Sequence, residues 1–181
     1  MASKHIAPKK TSKGYTEPID ANDIVSEPVV MYGGMRDTIA ERTISIMGME
    51  GKRGFAEIRN DNDFINVIRT GIPKQAMDNL MEITDLTLTE MASIVHTSDR
   101  TLRRYTAGQK LSQDQSERMV EMAKLYGRGE EVFGNLENFR EWMNTRLIPF
   151  GNKKPKEYLD TSIGIRMIQD ELGRIEHGIF A

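Results

Sequence analysis

Residues 86–109 read LTLTEMASIVHTSDRTLRRYTAGQ, and their spacing predicts two short helices meeting at a tight turn. Met91, Ala92 and Val95 form the apolar side of the first helix, and the pattern breaks at His96–Thr97. Ser98 caps the second helix, Leu102 and Tyr105 pack it back, and Gly108 ends it. Helices that cross steeply need a small residue where they touch, here Ala92. They also need apolar residues three and ten positions later, here Val95 and Leu102, to fill the corner.

This spacing resembles the helix-turn-helix of the phage-repressor-like Xre group, including the glycine sixteen positions after the alanine. The turn glycine common in that group is His96 here, and histidine tolerates positive φ better than most residues. In a recognition helix the N-terminal residues meet base edges in the major groove. Asp99, Arg100 and Arg103 are therefore the candidates for bases, and Ser98, Thr101, Arg104 and Lys110 for phosphates. The competing reading of the same residues is a packing unit with a solvated basic face. A single helix-turn-helix grips weakly, so specificity calls for a dimer or a larger assembly.

Outward from this motif the chain reads as helices with clear punctuation. Upstream, Phe64, Ile65 and Ile68 make a short amphipathic helix that Gly71 closes. Pro73 suits the first turn of the next helix, whose buried stripe is Ala76, Leu80 and Ile83. Downstream, Ser112 and Gln115 form a capping box for a helix carrying Met119, Ala123 and Tyr126 on one face. Asn135 caps another, with Leu136, Phe139 and Met143 inward. Two prolines and the pair Gly151–Asn152 predict a non-helical loop over residues 148–155, with a short helix starting at Pro155. The last helix starts near Thr161 or Ser162. Trp142 reads as a core anchor between the middle and last helices. The expected fold is mainly α: a helix-turn-helix domain over residues 61–134 and a small α-helical domain over 135–181. Residues 1–60 form an N-terminal extension, partly flexible, in which 36–50 are open between helix and strand.

The chain has 181 residues, 38% hydrophobic and 29% charged, which is enough for a buried core. No run approaches the roughly 18 apolar residues of a membrane helix, and the N-terminus has no apolar signal segment. A cytoplasmic location is expected, associated with the nucleoid when DNA is bound. With no cysteine and three scattered histidines, neither a thiol nucleophile nor a metal cluster is expected, and no cofactor. A net charge of −2 excludes coating nucleic acid by bulk charge but permits a local basic face. The adjacent pairs Glu130–Glu131 and Asp170–Glu171 point to different helix faces and suit no paired-carboxylate chemistry.

The chain end is unusual. Ile168, Leu172, Ile175 and Ile179 continue an apolar stripe to the terminus, which stops on Phe180 and Ala181. Such an end needs a place in its own core or in a partner's. The ordered segments GIPKQAMDNL, EEVFGN, EWMNTRLIPFGNKKPKEYLDT and ELGRIEHGIFA, with the helix-turn-helix among them, resemble the Xre/MbcA/ParS antitoxins over roughly residues 63–181. These are partners of RES-domain toxins, which consume NAD or transfer ADP-ribose. The family's loop Gly-Gly is Gly151–Asn152 here, and Gly127 and Gly129 weaken a helix that the family usually keeps continuous.

The resemblance implies a non-enzymatic antitoxin that covers the active site of a RES-family toxin with its C-terminal segment. It also implies repression of its own operon through operator DNA, as a homodimer or a larger hetero-oligomer with the toxin. The toxin-facing residues it implies are Arg174, Ile175, Glu176, His177, Gly178, Ile179, Phe180 and Ala181. His177 lacks any nucleophile or metal cluster to serve and reads as structural or interfacial. The alternative is a stand-alone transcription regulator whose C-terminal domain oligomerises.

Overall fold

The computed structural model describes residues 39–178. Among them the chain forms eight α-helices: α1 (Ile39–Ile46), α2 (Asp61–Thr70), α3 (Lys74–Thr84), α4 (Leu88–Ile94), α5 (Asp99–Arg104), α6 (Gln113–Phe133), α7 (Leu136–Asn144) and α8 (Ser162–Glu176). Two 3-10 turns, Ile148–Phe150 and Pro155–Tyr158, lie between α7 and α8. Extended backbone pairs only at two isolated bridges among the described residues, Pro73 with Lys110 and Leu147 with Lys153. None of these helices is long and apolar enough to cross a membrane.

The fold is organised around α6, on which α1, α2, α3, α7 and α8 all pack. Ser112 and Gln115 open it with the capping box the sequence predicts. Its buried residues run round most of its circumference, from Met119 and Val120 to Leu125 and Tyr126, as a central helix requires. The helix runs unbroken through Gly127 and Gly129. Their role is close approach. A Cβ on Gly127 would stand 3.4 Å from Arg42 Cβ of α1, and one on Gly129 would collide with the Phe139 ring of α7. Each glycine costs about 1 kcal/mol of helix propensity, and the packing it permits offsets that.

Residues 39–58 are more firmly built than the lack of periodicity suggests. Within the open segment, Ile39–Ile46 form a helix, α1, and Ile44, Ile46, Met47, Met49, Phe55 and Ile58 are all buried. Beyond α1 these side chains are delivered by turns with positive φ at Gly48, Gly51 and Gly54, which carry no helical or strand period. Asn79 of α3 secures the first turn by donating to the Met47 carbonyl at 3.0 Å.

Other predicted elements form with small shifts. Asn60 and Asp63 make a capping box for α2, and Gly71 leaves it at φ 88°. Pro73 stands just before α3, at the cap, instead of within its first turn. Asn135 caps α7. Trp142 is half-buried, with its ring among Phe133, Phe139 and Phe150, so it ties α7 to the first 3-10 turn. Gly151 and Asn152 are both left-handed, and the reversal brings Leu147 against Lys153. Thr161 caps α8, which buries Ile165, Ile168 and Leu172.

Candidate functional site

The helix pair α4–α5 forms as its spacing predicts. Thr87 and Glu90 make a capping box at the start of α4, and Ser98 Oγ accepts from Thr101 N–H at 3.1 Å to open α5. His96 takes φ 51°, the conformation the turn demands in place of the usual glycine. Its ring Nε2 lies 3.0 Å from the Asp160 carbonyl, so the side chain also holds the turn to the segment before α8. One expectation is corrected: α5 ends at Arg104, where Tyr105 turns extended, and Gly108 sits in the following turn. A six-residue helix has few internal bonds, and the fully buried Leu102 anchors it.

Leu102 faces inward, and Arg100, Arg103 and Arg104 face solvent. None of the three is in an ion pair with a described residue. Asp99 is half-buried and accepts from Thr89 Oγ1 of α4 at 2.7 Å, so its carboxylate is already engaged. Thr101 Oγ1 lies 2.9 Å from Ser98 Oγ. Lys110 is exposed and its Nζ donates to the Thr70 carbonyl at 3.0 Å.

The end of α8 is built differently. Burial along its inner stripe stops after Leu172, and Ile175 is only half-buried. Arg174 Nη1 reaches Glu171 Oε2 at 2.8 Å, and Glu176 pairs with Arg128 of α6. His177 Nδ1 lies 2.8 Å from the Gly173 carbonyl, satisfying one of the last carbonyls of the helix. Gly178 takes φ 68° and turns the chain off the helix. Ile179, Phe180 and Ala181 lie outside the described residues, as do residues 1–38.

Three exposed apolar side chains near this helix escaped the reading of the sequence. Ile148 is 90% exposed, Ile163 71% and Met167 38%. Ile163, Met167, Asp170 and Arg174 follow the i, i+4, i+7, i+11 spacing of one helix face, opposite the Ile168–Leu172 stripe. Met167, Asp170 and Arg174 border a shallow groove with Pro149 and Phe150. The only sequence signal was that i, i+4 pair, and exposure cannot be read from spacing alone.

The two regions are joined by a small polar junction. Arg118, buried on α6, donates to the Asp160 carbonyl at 2.8 Å, to Ser162 Oγ at 3.1 Å and to Glu121 at 2.9 Å. Lys156 Nζ meets Glu90 Oε1 of α4 at 2.8 Å. Partial burial opposes ionisation of Glu90, yet Lys156 and the two hydrogen bonds from Thr87 outweigh it and hold the carboxyl below the usual range. Among the described residues no group of three or more His, Cys, Asp or Glu could hold a metal ion.

Comparison with known proteins divides the chain at α6. Residues 63–124 match the antitoxin Xre-like helix-turn-helix domain, and residues 128–178 match the antitoxin Xre/MbcA/ParS C-terminal toxin-binding domain. The antitoxin Xre of Yersinia enterocolitica is 24% identical over 119 residues, covering 65% of this chain and 80% of that protein. The antitoxin Xre of Photorhabdus laumondii is 24% identical over 62% of this chain and 78% of its own. A Sphingobium protein named Prs ADP-ribosylating antitoxin is 26% identical over 129 residues, 66% of this chain and 81% of its own.

Proposed function

The chain belongs to the Xre-family antitoxins, and from that premise we propose that it neutralises a RES-family toxin and represses its own operon. The toxin consumes NAD or transfers ADP-ribose, a reading in keeping with the name of the Sphingobium relative. The antitoxin is not an enzyme and acts by occlusion. Its C-terminal segment, from Arg174 through Gly178 to Ile179, Phe180 and Ala181, enters the toxin's active-site cleft.

The observation that carries this reading is the end of the buried stripe at Leu172 inside a domain matched as toxin-binding. Beyond Leu172 the helix has little core left to fill, and Gly178 redirects the chain away from it. The apolar row Ile163–Met167 extends the contact along the outer face of α8. At the other end, α5 enters the major groove, with Arg100 and Arg103 on base edges and Ser98, Thr101, Arg104 and Lys110 on phosphates. Asp99, tied to Thr89, serves there to hold α5 against α4.

Deletion of residues 178–181 tests the proposal because it leaves α8 whole. Cells expressing the toxin encoded beside this gene lose protection, while the truncated protein keeps its helical circular dichroism and its DNA affinity. Full protection by the truncated protein sinks the occlusion mechanism.

A further inference from the structure

The turn Gly51, Lys52, Arg53, Gly54 precedes both matched domains, and neither assigns it a role. It is held in place. Met49 and Phe55 on either side are buried, and Phe55 N–H donates to the Lys52 carbonyl at 3.0 Å. Gly51 and Gly54 supply the positive φ of 65° and 87° that the reversal needs. Two long cationic side chains are thus presented to solvent from a fixed backbone. Neither forms an ion pair with a described residue.

Lys52 and Arg53 line a cleft of about 490 Å³ that is also lined by Gly108 and Lys110, in the loop that follows α5. Glu57 and Asp63 also border it. The Asp63 carboxylate is committed to the backbone N–H groups of Arg59 and Asn60. Lys52, Arg53 and Lys110 thus line the cleft together, with Glu57 as the remaining carboxylate. In helix-turn-helix relatives such as the homeodomain, the C-terminal end of the recognition helix lies against the sugar–phosphate backbone.

We infer that Lys52 and Arg53 form a second phosphate clamp, gripping the DNA backbone beside the phosphates met by Lys110. The inference rests on the DNA-binding reading above and enlarges its footprint. Arginine offers a fork to the phosphodiester oxygens and lysine a point charge, so the clamp adds affinity and register without reading sequence. Lys52 and Arg53, in no ion pair with a described residue, would release condensed counterions on meeting phosphates.

Fluorescence anisotropy tests this with the full chain. The probes are a duplex carrying the promoter upstream of its own gene and a scrambled duplex of equal length, titrated between about 50 and 200 mM salt. Lys52→Ala and Arg53→Ala each weaken both duplexes alike and lower the salt slope by about 1. The double variant lowers the slope by about 2 and weakens binding on the order of tenfold at moderate salt. Both side chains are exposed, so an unchanged melting temperature certifies the fold. An unchanged slope in the double variant, while Arg103→Ala still weakens binding, overturns the clamp and leaves the DNA reading standing. Loss confined to the promoter duplex overturns it too, since it means base readout. A wild-type chain that binds neither duplex overturns both readings together.

Discussion

Helices α5 and α8 are alike in design and opposite in how their charges are paired. Each starts at a hydroxyl cap, Ser98 or Thr161, and each carries arginine in its last turn. On α5, Arg103 and Arg104 are without ion partners among the described residues. On α8, Arg174 is bound to Glu171 and Glu176 to Arg128. Arginines in no ion pair with a described residue have no internal bridge of that kind to give up when a polyanion approaches. At α8, a protein partner must exchange internal ion pairs for its own or accommodate them intact. Readiness at one end suits fast, salt-sensitive encounter, and pairing at the other suits a contact decided by shape.

The hardest way to break this contrast is to cut the junction between the two regions. Arg118 is buried and its charge-assisted bonds reach Asp160, Ser162 and Glu121, while its Nε has no partner among the described residues. Bonds to a charged group contribute about 1.5–3 kcal/mol, so Arg118→Ala is expected to cost about 3 kcal/mol of stability. Urea denaturation followed by circular dichroism measures it. A midpoint within error of wild type shows that the junction is ornamental and that α5 and α8 are held independently.

Arg103→Ala sharpens the comparison from the DNA side. Arg103 is exposed and in no ion pair with a described residue, so its removal is expected to leave the melting temperature almost unchanged. Its loss is nevertheless expected to weaken promoter binding by about 1–3 kcal/mol and to relax the sequence preference at one base pair. Gel-shift titration against a panel of single-base substitutions reads both effects. Unaltered affinity and preference move base readout off the second turn of α5.

The contrast was only partly legible in the sequence, for identifiable reasons. Ser98, Ser112, Asn135 and Thr161 cap helices where their side chains predict, because a cap is decided within four residues. His96 was readable for the same reason, down to its left-handed backbone. The local cost of Gly127 and Gly129 is visible in sequence, whereas their benefit comes from Arg42 and Phe139, which sit on other helices. Met49, Phe55 and Ile58 were overlooked because turns deliver them to the core, and turns have no period. The pairing of Glu176 with Arg128 spans 48 positions, and nothing local announces it.

That last pair supplies a gentler perturbation. Both partners are more than a third exposed, so Arg128→Ala is expected to change stability by less than about 1 kcal/mol. It releases Glu176 from that ion pair. If the pair must open on binding, the variant binds the toxin up to about fivefold more tightly by isothermal titration calorimetry, the equivalent of that same 1 kcal/mol. Weaker binding carries the opposite meaning: the pair pre-organises the helix end, and α8 is as ready for its partner as α5.

The smallest effect concerns Glu90, the residue of α4 that reaches across to Lys156 ahead of α8. Its carboxyl is held below the ordinary range by Lys156 and Thr87, against the opposing pull of burial. The unfolded chain therefore binds its proton more readily than the folded one. The contribution is complete above the ordinary carboxylate value and is lost as pH falls through the lower folded value. Solvent reaches a third of the side chain, which limits the gain to roughly 0.5 kcal/mol. Glu90→Gln isolates the charge, since glutamine still serves at the third position of a capping box. Urea midpoints from pH 7 down to pH 3 should show wild type ahead of the variant near neutrality and the two converging in acid. A gap that stays constant assigns the role of Glu90 to hydrogen bonding alone. The link between the helix pair α4–α5 and the start of α8 would then rest on His96 and Arg118, which meet at the Asp160 carbonyl.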